Sequence, residues 1–171
     1  MKKYFVVIAL LLVFALAACA GHGTSVKGKE IPIESAAVKL VSDTKAGGYN
    51  LITTSELKKS LDEGKKLTII STLPVEEDKI FGTLPGAISA PLPKTEKELT
   101  QADKDNLVKV AGPDKNKEIV VYCGFVACRR STIGAKILVD EGYKNVSKYP
   151  GGIVAWIEAG YPIEGADVQS K

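Results

Sequence analysis

The sequence predicts an α/β fold, a mainly parallel sheet covered by helices on both faces, and three observations lead there. Short runs at 67–71 (L-T-I-I-S), 118–122 (E-I-V-V-Y) and 145–149 (N-V-S-K-Y) have the length and β-branched content of strands. The segments between them are long enough for crossover helices, and several carry an apolar face at helical spacing. The 171 residues are 45% hydrophobic and 25% charged, with 16 Gly and 8 Pro, which suits one core and is unlike a disordered, collagen-like or repeat chain. A formal net charge of +3, from 23 basic and 20 acidic residues mixed along the chain without a basic block, argues against nucleic acid as a partner.

Taken in order, residues 1–18 are expected to be a lipoprotein signal peptide. Lys2 and Lys3 precede an uncharged apolar run from Tyr4 to Ala18, too short for a comfortable membrane span and ending in small residues. Leu16-Ala17-Ala18-Cys19 resembles the lipobox of bacterial lipoproteins, which implies acylation of Cys19 after cleavage. The alternative is a generic signal with Cys19 an ordinary mature residue. Removing 1–18 takes away two lysines and no acid, leaving a net charge of +1, so acyl chains rather than charge would hold the protein on an exported membrane face. Residues 19–48 read as an acylated N-terminus and tether, small and flexible around Gly21 and Gly23, with His22 a solvated linker residue. A short helix at 35–44 is possible, with Val38 and Val41 facing the main domain.

The folded domain is expected over 49–166, followed by a tail at 167–171. Asn50-Leu51-Ile52 is a short extended segment. Thr53 and Glu56 form a capping-box pattern for a helix to about Leu61, with Leu57 and Leu61 inward and Gly64 beyond its end. After the strand at 67–71, Gly82 to Ile88 is a turn feeding another short strand, which Pro91 and Pro93 end. A helix at 101–111 turns Leu107 and Val110 inward. The strand 118–122 is the most strand-like run, and a helix at 130–141 follows with Ile133, Ile137 and Leu138 on one face and Gly142 at its end. The weaker strand 145–149, a Gly151-Gly152 turn and a short helix at 152–159 holding Trp156 complete the domain.

The chemistry concentrates between strand 118–122 and the helix after it. Cys123 stands just past the carboxyl end of that strand, where open α/β sheets bind ligands. The loop Gly124, Phe125, Val126, Ala127, Cys128 then enters a helix N-terminus at Arg129 and Arg130. Successive amides, the helix dipole and two guanidinium groups favour a thiolate at Cys123 and an anionic substrate beside it. Arg129 is expected to point inward and hold the anion, with Arg130 facing out or supporting the helix. The bland alternative is a small buried hydrophobe at a strand end.

These residues resemble the rhodanese-like family. Gly82 to Ile88 (G-T-L-P-G-A-I) is similar to its G-H-I-P-G-A-I, Y-C-x(5)-R-R-S to its active-site loop, and E-G-Y-K-N-V with P-G-G-I-V-A-W-I-E-A-G-Y-P-I to its C-terminal signature, together covering about 49–163. The resemblance implies a five-stranded parallel sheet and sulfurtransferase activity through a persulfide on Cys123, with residues 124–130 binding substrate. The implied partners are a small anionic sulfur donor and an acceptor such as cyanide, a thiol or a protein thiol, besides the membrane reached through the lipid anchor. No cofactor and no metal ion is expected.

The departures keep other readings open. Ser71-Thr72-Leu73 stands where the family usually has D-x-R, and Thr83 replaces the histidine of the turn motif. Arg129 is six positions after Cys123 where five is usual, and this longer C-x(5)-R loop resembles that of related phosphatases and arsenate reductases. Residues 124–128 contain no acid for a leaving group, which favours sulfur transfer. A non-catalytic sulfur-carrier or anion-binding module is the third reading. Phe125 and Val126 either shield a persulfide or merely pack. Cys128 can form a disulfide with Cys123, resolve its persulfide or sit idle, and a wide loop would have to collapse before the two could bridge.

Overall fold

A computed structural model describes residues 30–166. The signal peptide, Cys19, His22 and the tail therefore lie outside the described residues. The chain divides into two compact units, Met1–Ser35 and Ala36–Lys171. The described part of the first is the opening of helix α1 (Glu30–Gly47), which tolerates Pro32 because the first turn needs no amide donor at that position.

The second unit adds β1 (Asn50–Leu51), α2 (Thr54–Asp62), β2 (Leu67–Ser71), α3 (Val75–Phe81), β3 (Ile88–Ser89), a 3-10 turn (Glu96–Glu98), α4 (Gln101–Ala111), β4 (Glu118–Tyr122), α5 (Arg130–Asp140), β5 (Asn145–Tyr149) and α6 (Gly152–Glu158). All five strands are parallel, in the order β1-β5-β4-β2-β3. The sheet is thus wholly parallel, and β4 is central.

Alternation along the strands divides the apolar side chains into two cores. On one face Ile70, Ile119, Val121 and Val146 meet Leu107 and Ala111 of α4 and Ile133, Ile137 and Leu138 of α5. On the other, Ile69, Val120, Tyr122 and Tyr149 meet Leu57 of α2 and Ile153 and Trp156 of α6. Each fully buried large apolar side chain contributes on the order of 1.5–3 kcal/mol, and Trp156 also donates from Nε1 to the Pro162 carbonyl at 2.8 Å.

The capping box at α2 forms: Glu56 N–H donates to Thr53 Oγ1 at 3.3 Å and Thr53 N–H to Glu56 Oε2 at 2.9 Å. Two elements differ from expectation. α1 is longer than 35–44, and its inward side carries Ala36, Leu40, Asp43, Thr44 and the buried Gly47. Val38 and Val41 are 65% and 54% exposed, because they stand two and five residues after Ala36, on the opposite side of a 3.6-residue helix. α3 has no counterpart in the expected elements, since V-E-E-D-K-I-F is short, acidic and lacks a side-chain cap. Its Asp78 is buried, accepting from Ser71 Oγ at 2.7 Å and Ser89 Oγ at 2.8 Å, so it ties α3 to the ends of β2 and β3. Among the described residues no helix is long and apolar enough to cross a membrane.

Candidate active site

The site is built where the central strand stops. Tyr122 ends β4 and Cys123 follows, its carbonyl accepting from Ile153 N–H at 2.9 Å, while the Gly124 carbonyl accepts from Val154 N–H at 3.1 Å. The start of α6 therefore fixes the first two residues of the loop. Gly152 makes this approach possible. Its φ is +61°, and a Cβ there would overlap the carbonyl oxygens of Cys123 and Gly124. The loop closes with Cys128 N–H donating to the Phe125 carbonyl at 2.9 Å and passes into α5 at Arg130.

Cys123 is 1% exposed, with Sγ 3.0 Å from Ser131 Oγ and 3.6 Å from the Cys128 carbonyl oxygen. A cavity of about 280 Å³ opens over the loop, lined by Gly124, Phe125, Ala127, Cys128, Arg129 and Arg130 together with Leu73, Glu77 and Lys94. Three cations and one carboxylate thus border it, a field suited to a small anion. Behind the loop a second cavity of about 40 Å³ is bordered by Asp43, Val126, Cys128, Arg129, Thr132 and Lys148.

Several site residues stand differently from expectation. Cys123 borders neither cavity, whereas Cys128 borders both. Burial pushes the Cys123 thiol up, contact with the Cys128 side chain pushes it further, and the Ser131 hydroxyl opposes both. Contact with the Cys123 side chain, then the Gly124 and Arg130 amides and the Arg130 guanidinium, lowers the Cys128 pKa, while its burial opposes them. The two cysteines lie in one buried cluster, with Cys123 Sγ 3.6 Å from the Cys128 carbonyl oxygen.

Both arginines border the larger cavity, but their side chains are held differently from expectation. Arg129 is tied outward, donating to Asp43 Oδ2 at 2.9 Å and to Glu96. Arg130 is 9% exposed, turns into the loop and donates from Nε to the Leu92 carbonyl at 2.9 Å. The inward position is one residue later than the spacing from Cys123 suggested, because carboxylates on α1 and the 3-10 turn capture the first guanidinium. Phe125 and Val126 are 56% and 41% exposed, and Phe125 borders the larger cavity.

Several residues of the site were not singled out from the sequence, among them Lys94, Lys148 and Glu77. Lys148 on β5 is 2% exposed, and its Nζ donates to Thr132 Oγ1 at 2.8 Å and to the Cys128 carbonyl at 3.5 Å. Burial lowers its pKa, while the neighbouring thiols oppose that shift. The available signal was a lysine in register with Val146 on the inward face of a strand. Glu77, on the unexpected helix α3, brings a carboxylate to the cavity wall.

A profile of the rhodanese-like domain matches residues 53–159. Among curated proteins, 55 residues are 38% identical to the tRNA uridine(34) hydroxylase of Prochlorococcus marinus, over 32% of this chain and 17% of that protein. Among solved structures, thiosulfate sulfurtransferase from Pseudomonas aeruginosa superposes with a TM-score of 0.57 at 23% identity, over 76% of this chain and 22% of that one. The polysulfide-sulfur transferase homodimer of Wolinella succinogenes gives 0.55 at 21% identity, over 82% of this chain and 93% of that one. At these identities the structural matches speak for the fold, and the chain spans less than a quarter of the length of the first two proteins. With a profile over more than half of its residues and this sheet beneath it, the chain belongs to the rhodanese-like domain family.

Proposed function

We propose that the protein is a sulfurtransferase that moves sulfane sulfur through a persulfide on Cys123. The donor is a small anion such as thiosulfate or polysulfide, and the acceptor is cyanide, a thiol or a protein thiol. The observation that carries this is a cysteine at the end of the central strand beneath a cavity bordered by Lys94, Arg129 and Arg130. With thiosulfate, the Cys123 thiolate attacks the outer sulfur, the sulfur–sulfur bond breaks, and sulfite leaves with its electron pair. Ser131 Oγ, 3.0 Å away, donates to the thiolate as it forms. Cys128 borders the cavity while Cys123 is 1% exposed, so attack on the donor requires the loop to open to the Cys123 sulfur. The names of the sulfurtransferases with similar structures accord with this donor class.

Cys123→Ser tests the proposal: transfer to cyanide should fall below a few per cent of wild type with the fold retained, because a serine hydroxyl is a poor nucleophile and forms no persulfide. Retention of activity would move the nucleophile elsewhere. Phosphoryl transfer remains the second reading because Glu77 offers an acid at the cavity wall, although residues 124–128 contain none. Turnover of an aryl phosphate faster than thiosulfate, or reduction of arsenate, would favour it. Anion binding without either turnover would indicate a carrier module. The proposal includes acylation at Cys19 and an exported, membrane-anchored location, periplasmic or outer cell-surface, supported by the L-A-A-C pattern. Cys19→Ala should abolish the lipid mass and either block processing or release a soluble exported form; a processed protein still on the membrane would point to a partner as anchor.

A further inference from the structure

Cys128 has a place that persulfide transfer to an outside acceptor does not require. It lies in the same buried cluster as Cys123, and its carbonyl is 3.6 Å from Cys123 Sγ. It also borders the donor cavity that Cys123 does not reach. It is buried at 8% exposure, so its sulfur is held inside the loop beside the nucleophile rather than turned to solvent.

We infer that Cys128 is a resolving cysteine: it attacks Cys123 of the persulfide, releases the sulfane sulfur as hydrosulfide and leaves a Cys123–Cys128 disulfide. The inference rests on the sulfurtransferase reading above. In the step, the Cys128 thiolate forms a bond to Cys123 Sγ, and the bond from Cys123 Sγ to the outer sulfur breaks. The outer sulfur leaves with that electron pair and its own proton as HS⁻. The two cysteines are oxidised to the disulfide, and the sulfane sulfur is reduced to sulfide. An external dithiol reductant, exchanging with the disulfide, returns the pair to thiols. The protein then converts thiosulfate to sulfite and sulfide at the expense of that dithiol, an activity distinct from transfer to an acceptor.

The test uses the reduced, desalted full chain given one equivalent of thiosulfate without acceptor, followed by sulfide assay and peptide mass spectrometry. Wild type should release about one equivalent of sulfide, and the peptide bearing both cysteines should become about 2 Da lighter than its dithiol form. Cys128→Ser, and Cys128→Ala as a second variant should serine disturb the loop, should instead retain about 32 Da of added sulfur on Cys123, with sulfide release at least about tenfold slower. Equal release from wild type and both variants, or a wild-type persulfide that persists without disulfide, would overturn the inference while leaving sulfur transfer standing. No added sulfur on Cys123 in any of the three proteins, with no disulfide and no sulfide from wild type, would overturn both.

Discussion

At the scale of single residues, the direction in which a side chain leaves the loop decides its role. Arg130 is buried, turned to the loop and anchored on Leu92, whereas Arg129 is engaged by Asp43 and Glu96. Lysine at 130 keeps a charge but loses the fork that can serve sulfur and carbonyl together. Arg130→Lys should therefore lower kcat/KM for thiosulfate by about tenfold or more, since a charged hydrogen bond is worth about 1.5–3 kcal/mol. Arg129→Lys, at a partly exposed ion pair, should cost about threefold or less. Steady-state kinetics on both variants will check this order, and an Arg129 effect as large as that of Arg130 would contradict it. Lys148 acts through charge from beneath the loop. Lys148→Met removes a buried cation that interacts with both thiols, so the pH profile of Cys128 alkylation should move upward by about one pH unit. Iodoacetamide kinetics between acid and neutral pH will show it, while an unmoved profile would make Lys148 a packing residue only.

At the scale of elements, the loop is held by what precedes and follows it. The first amides of α6 take the carbonyls of Cys123 and Gly124, and only glycine at 152 permits that contact in a left-handed conformation. Gly152→Ala should destabilise the protein by about 2–4 kcal/mol, through the φ penalty and the overlap with backbone. For a chain of this size, that lowers Tm by roughly 4–16 °C. Thermal unfolding beside the wild type will check it, and a change under about 2 °C would mean the turn relaxes freely. Elements with strong local signals were legible from sequence: α2 through its capping box, and β2, α4, β4 and β5 to the residue. α3 was not, because it has neither an apolar stripe nor a cap, and tertiary bonds from Ser71 and Ser89 to Asp78 hold its place. The same hidden element supplies Glu77 to the site.

At the scale of the whole molecule, both hydrophobic cores lie within the unit Ala36–Lys171. A chain beginning at Ala36 should therefore unfold within about 2 °C of the full one, since the apolar area buried in its two cores is unchanged. Beginning at residue 49 additionally removes Asp43, a partner of Arg129, together with Leu40 and Gly47. That protein should lose several degrees and expose the small cavity behind Cys128, visible as faster alkylation of the thiol. Equal melting temperatures for the three chains would show that α1 contributes nothing to stability.

The sequence by itself determined the fold class and the place of the reactive loop, because both depend on local signals: the two-residue and 3.6-residue apolar periods, cap residues, and a cysteine directly after the central strand. It also carried the family, through motifs whose order along the chain is enough to identify it. Only the tertiary structure decided which groups act on which sulfur. Asp43 and Glu96, 86 and 33 residues from Arg129, pull that guanidinium out of the loop. Lys148 enters from another strand, and Cys128 borders the cavity from which Cys123 is set back. Charge interactions act through space and fall off with distance in three dimensions, so residues far apart in the chain act on the ionisation of the loop.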